Sequence, residues 1–141
     1  MKNKSTILIL SLILSIQISF GNVISNKNNN IKSFKSTIMI DLDGVLDNYT
    51  KYDNNKIPEI KSGAKEFLEN LSQDYRLILF TTRNTKQATE WLIKNKIDIY
   101  FYDVTNVKIP AKIYIDDKAI NFKGNYEQTM EDIKNFNVYW K

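Results

Sequence analysis

Two pairs of carboxylates stand out in the 141-residue chain: Asp41 with Asp43, two positions apart, and the adjacent Asp116 and Asp117. Each pair follows a short apolar run, Thr37-Ile38-Met39-Ile40 in the first case and Lys112-Ile113-Tyr114-Ile115 in the second. Another run, Tyr75 to Phe80, ends at Thr81-Thr82-Arg83-Asn84, and Lys108 lies shortly before the second carboxylate pair. Three or four carboxylates gathered in one place repel strongly, and they need a cation among them or protons on some of them. Oxygen donors without His or Cys suit magnesium. The chain contains no His and no Cys. That removes thiolate-bound zinc, disulfides, Ser-His-Asp and Cys-His nucleophiles and the histidine general base. Catalysis in this chain would have to run on carboxylates, Lys, hydroxyls and a hard metal.

Each group also has a plainer role open to it. Asp-Leu-Asp-Gly at positions 41–44 fits a turn. It does not fit a calcium loop of the EF-hand type, because Gly44 stands fourth instead of sixth and Tyr52 stands where the twelfth-position Glu belongs. Asp116 and Asp117 suit a helix cap. Thr81 suits a satisfied hydroxyl at a strand end, and Lys108 a solvated side chain. Arg83 serves equally as an ion-pair partner or as a phosphate contact. The functional alternative rests on placement, since every one of these clusters follows a strand-like run.

The elements that must position them alternate in type. Thr37 to Ile40 reads as a buried parallel strand. Polar residues Asp47 to Lys56 form a loop, and Pro58 opens a segment with Ile60, Ala64, Phe67, Leu68 and Leu71 at helical spacing. Tyr75 to Phe80 is a second strand. Thr85 to Lys96 is a helix with Ala88, Trp91 and Leu92 on one face. Ile97 to Tyr102 reads as a third strand and Lys112 to Ile115 as a fourth. Asn125 to Asn135 is helical, and Val138 to Trp140 adds an edge strand. Strands alternating with helices imply an α/β fold, a Rossmann-like three-layer sandwich with a mostly parallel central sheet. In such sheets ligands bind at the carboxyl ends of the strands, where Asp41, Asp43, Thr81, Asp116 and Asp117 would converge.

The stretch Ile38 to Leu46 resembles the first motif of the haloacid dehalogenase (HAD) superfamily, an apolar strand followed by DxDG(V/T)(L/I). Leu77 to Thr81 resembles its second motif and Ile113 to Asp117 its fourth, while Lys108 stands at the place of the third-motif Lys. KIPAKIYIDDKAINF, Lys108 to Phe122, is similar to small HAD proteins with a K-P-x-A-x-x-Y-I-D-D run, with Ile109 in place of the subgroup's Pro. Lys112 is a rival for the third-motif role. The resemblance implies a HAD-like domain over residues 37–141 and a magnesium-dependent phosphomonoester hydrolase. Asp41 would be the nucleophile, forming an aspartyl-phosphate. Asp43 would act as general acid and then as base. Thr81 and Lys108 would hold and neutralise the phosphoryl oxygens, and Gly44, Thr82 and Arg83 would lie beside the substrate. Asp41, Asp43 through its carbonyl, Asp116 and Asp117 would hold Mg2+. The retained second Asp favours phosphate chemistry over dehalogenation. About a dozen residues separate Leu46 from Pro58, too few for a cap domain, so the site should be open.

Outside the domain, Lys2 and Lys4 precede an apolar run from Thr6 to Phe20, with small residues at Ser19 and Gly21. This is the pattern of a secretory signal peptide over residues 1–21, cleaved after Gly21 or retained as a membrane tether through residues 5–20. A secreted or periplasmic location is the corresponding expectation, with membrane anchoring as the alternative. Residues 22–36, rich in Asn and Lys, read as a polar linker. Lys2 and Lys4 supply two of the four net positive charges, leaving too little on the domain to argue for nucleic acid. The expected partner is a phosphorylated small molecule or polymer end. A non-catalytic magnesium-binding domain on the same fold is the competing expectation.

Overall fold

The alternation of apolar runs produces a four-stranded parallel sheet in the order β3-β2-β1-β4. The structure is a computed structural model and describes residues 35–141. The expected signal segment 1–21 and all but the last two residues of the 22–36 linker lie outside the described residues. Strands β1 (Thr37–Asp41) and β2 (Arg76–Phe80) form the centre, with β3 (Phe101–Thr105) and β4 (Ile113–Ile115) outside them. Helices α1 (Ala64–Asp74), α2 (Thr85–Lys94) and α3 (Tyr126–Lys134) flank the sheet. This is the expected α/β architecture, a Rossmann-like three-layer sandwich. No helix among the described residues is long and apolar enough to cross a membrane.

Register explains the core. Ile38 pairs with Leu77 and Ile40 with Leu79, so these four side chains share one face of the sheet. They pack with Ala64 and Leu68 of α1 and with Ala88, Trp91 and Leu92 of α2. Successive right-handed crossovers from β1 to β2 to β3 put both helices on that same face. Met39 and Ile78 alternate to the opposite face and are buried there. The chain then crosses back to place β4 on the other side of β1. The point where the strand order reverses lies between β1 and β4, and the carboxyl ends of these strands are Asp41 and Ile115. Asp116 and Asp117 follow at once.

Four element boundaries differ from expectation. Pro58 does not open the first helix; α1 starts at Ala64, behind Gly63 at φ 81°. The backbone before it is committed to the β1 loop: Asn48 N–H donates to Glu59 O at 2.9 Å and Lys61 N–H to Leu46 O at 2.8 Å. The third strand starts at Phe101, not Ile97. Ile97 instead turns fully into the core beneath α2, and a 3-10 turn, Asp98–Tyr100, intervenes. A register shift between Leu77 and Ile78 then absorbs Tyr102 as an extra residue on β3. Helix α2 ends at Lys94, because Lys96 adopts φ 57°. Val138 to Trp140 form no strand; the Tyr139 and Trp140 side chains dock at the loop that follows β1.

Candidate metal centre and its surroundings

The backbone after β1 curls through a single helical turn, with Leu46 N–H and Asp47 N–H both donating to Leu42 O at 3.0 and 3.3 Å. Leu42 and Leu46 are fully buried and pin this turn to the core. Asp41 is oriented within it by Leu42 N–H, which donates to Asp41 Oδ1 at 2.8 Å. Gly44 sits at the apex with φ +82°, the left-handed region that glycine enters without steric cost. Its N–H donates to Asp47 Oδ1 at 2.8 Å and its carbonyl accepts from Lys61 Nζ at 2.8 Å. Space also demands glycine here: a Cβ would lie 2.8 Å from Asp117 Cγ and 2.9 Å from the Trp140 indole nitrogen.

Asp41, Asp116 and Asp117 each offer a carboxylate oxygen, and these atoms lie within 4.8 Å of one another. Asp116 Oδ1 also accepts from Lys118 N–H at 2.7 Å, which fixes the loop after β4. Asp117 Oδ2 accepts from the Trp140 indole N–H at 2.5 Å, while Asp117 Oδ1 is buried without a hydrogen-bond partner. Burial pushes the Asp41 carboxyl up to about 7, helped by the charges of Asp116, Asp43 and Asp117 and opposed by the Leu42 N–H. A raised carboxyl among other acidic side chains marks a place where a cation would be stabilising. The donors are all hard oxygens within reach of a single ion, so the trio could hold a hard metal ion.

The remaining expected site residues divide. Asp43 does not join the carboxylate trio. Both of its oxygens accept from Arg83 Nε, at 2.7 and 3.0 Å, in a pair sealed from solvent. Arg83 also donates through Nη1 to Asp53 O at 2.7 Å and lies 4.9 Å from the Tyr52 ring centroid, while Nη2 has no partner. Of the two roles open to Arg83, the structure places it in the ion pair. Thr81 is buried at the end of β2, and its hydroxyl accepts from Arg83 N–H at 3.2 Å. Thr82 is exposed. Lys108 is exposed, with Nζ 4.3 Å from the Tyr114 ring centroid. Lys112 is at the wrong end of the sheet: its N–H donates to Thr37 O, at the start of β1, and its Nζ lies over Tyr75.

Four contributors were missed by sequence reasoning. Asp47 is fully buried; burial raises its carboxyl to about 6, with repulsion from Asp43 adding and Gly44 N–H, Arg83 and Lys61 opposing. An Asp three residues after a turn glycine is a recognisable backbone-bonding pattern, and that signal was available. Lys61, Tyr139 and Trp140 come from far along the chain. The Tyr139 hydroxyl bonds to Gly44 O and to Lys61 Nζ. No local pattern announces such contacts.

No family model and no curated protein matches the chain. Among solved structures, the chain is similar to a conserved protein from Bacteroides thetaiotaomicron, with a TM-score of 0.50 and 26% sequence identity over 72% of this chain and 91% of that one. The likeness extends across nearly all of that protein and carries the α/β fold.

Proposed function

We propose that the chain is a magnesium-dependent phosphomonoester hydrolase of the HAD type, acting through Asp41. The observation that carries this is the carboxylate trio, Asp41 with Asp116 and Asp117, at the point where strand order reverses. The motif resemblance supplies the roles. Asp41 attacks phosphorus in line with the leaving oxygen, forming an acyl phosphate as the ester bond breaks. A proton passes to the leaving oxygen from Asp43. Asp43, now a carboxylate, takes a proton from the water that attacks the acyl phosphate, and inorganic phosphate and Asp41 are released. Thr81 and Lys108 hold phosphoryl oxygens. Asp41, Asp116 and Asp117 would hold magnesium, which would supply positive charge to offset that of the carboxylates and the phosphoryl group. With no cap domain among the described residues, a bulky phosphate ester could reach the site.

A second reading has one specific observation in its favour. Both oxygens of Asp43 accept from the buried Arg83 guanidinium, which turns its carboxyl toward Arg83 and away from a leaving group at Asp41. A non-catalytic cation-binding domain would keep the trio and lock Asp43 in this way. Hydrolysis of an aryl phosphate with and without magnesium, beside Asp41→Asn, separates the two. Catalysis predicts magnesium-dependent turnover that falls by about 10³-fold or more in the variant. Cation binding without turnover across a broad phosphomonoester panel selects the binding domain.

A further inference from the structure

The segment around Val138 and Trp140 was expected to extend the sheet, and instead it delivers two aromatic side chains to the loop after β1. Tyr139 bonds to the Gly44 carbonyl and to Lys61. Trp140 reaches Asp117, and its ring packs edge-on against Tyr49 at 5.1 Å between centroids. Lys118 Nζ lies 4.5 Å from the Tyr49 ring centroid and 5.7 Å from that of Trp140. The indole is therefore held on two sides, and its N–H has a defined direction.

That direction matters because Asp117 has two oxygens in different states. Oδ2 takes the indole N–H, whereas Oδ1 is buried with no partner at all. A buried carboxylate oxygen without a donor is costly unless a cation or water completes it. Groups that hydrogen-bond the outer oxygen of a metal-ligating carboxylate fix its rotation and tune its affinity. We infer that Trp140 is the positioning residue of the cation site: its indole holds Oδ2 of Asp117 and leaves Oδ1 for the ion. Gly44 completes the device, since only a residue without Cβ lets Asp117 and Trp140 lie against the turn. The role rests on the cation-site reading of the trio and goes beyond it, because Trp140 belongs to none of the motifs that the resemblance quotes.

The test measures Mn2+ binding to the full chain by the loss of the free-ion EPR signal, alongside Mg2+ titration of the indole N–H resonances. The chain has two Trp residues, so there are two such resonances. The parent should bind Mn2+, and Mg2+ should shift the indole resonance that disappears in Trp140→Phe while leaving that of Trp91 in place. Trp140→Phe keeps the ring and loses the donor; its affinity should fall by about 10-fold, as for other outer partners of metal ligands. Tyr139→Phe cuts the neighbouring anchor without touching Asp117 and should bind as the parent does. Equal affinity in Trp140→Phe, an equal loss in Tyr139→Phe, or an unmoved Trp140 resonance in a parent that binds Mn2+ would each overturn the positioning role. A parent that binds no Mn2+ would overturn the cation site itself, and the role of Trp140 with it.

Discussion

At Asp47 the protein tolerates a buried carboxylate with one oxygen satisfied by Gly44 N–H and the other unpartnered. Its carboxyl is raised from 3.8 to about 6 in the folded state. The folded chain therefore holds a proton more tightly than the unfolded chain between those values. Ionised Asp47 costs stability above about pH 6, and the cost is relieved as pH falls toward 4. Asp47→Asn keeps an acceptor for Gly44 N–H and removes the charge. Its melting temperature should exceed the parent's near pH 8, and the difference should vanish near pH 4. A less stable variant near pH 8 would mean that Arg83 and Lys61 depend on the Asp47 charge. Gly44→Ala is the opposite case. Its left-handed φ costs an L-residue about 1–2 kcal/mol, and the new Cβ must also displace Asp117 or Trp140. Thermal unfolding should show a loss at or above that figure, accompanied by weaker Mn2+ binding. Arg83→Met leaves Asp43 buried without its counter-charge and should cost about 3–5 kcal/mol in denaturant unfolding. A loss below about 1 kcal/mol would show that the Arg83–Asp43 pair contributes no more than an exposed ion pair does.

The central elements were legible because their patterns are local. Thr37–Asp41 and Arg76–Phe80 are apolar runs of strand length, and their ends coincide with the polar clusters. Helix α2 carries its own start signal, Asn84 accepting from Lys86 N–H and Gln87 N–H, and α3 does the same through Asn125. Reading failed where a local pattern was overruled by a distant partner. The apolar spacing after Pro58 looks helical, yet Glu59 and Lys61 pair with the loop after β1. Ile97 begins an apolar run, yet its side chain is spent on the core under α2. The site follows the same rule. Asp41, Asp116 and Asp117 could be brought together on paper from strand ends alone, whereas Lys61, Tyr139 and Trp140 depend on tertiary approach. The exchange between Asp43 and Arg83 was left open by sequence, since an Arg at a strand end fits two roles until its partner is seen. At this scale the key contact is α1 against the sheet: Leu68 is fully buried, and Leu68→Ala should cost about 2–5 kcal/mol by denaturant unfolding without changing Mn2+ affinity. A drop in affinity at matched folded fraction would show that α1 helps set the carboxylate geometry.

Across the whole molecule, residues Lys35–Lys141 make one compact unit in which a small core serves chiefly to fix the carboxyl ends of two strands. The reversal of strand order between β1 and β4 brings Asp41 beside Asp116 and Asp117, and Tyr139 and Trp140 reach the adjoining turn. No inserted domain stands over the trio among the described residues. The most direct measurement is single-turnover reaction of the magnesium-loaded chain with an activated aryl phosphate, quenched in acid and read by peptide mass. The peptide containing Asp41 should carry one phosphoryl group on that residue, decaying as inorganic phosphate appears, with none in Asp41→Asn. Turnover that persists in Asp41→Asn, or a phosphoryl group found on any other residue, would contradict the assignment of Asp41 as nucleophile.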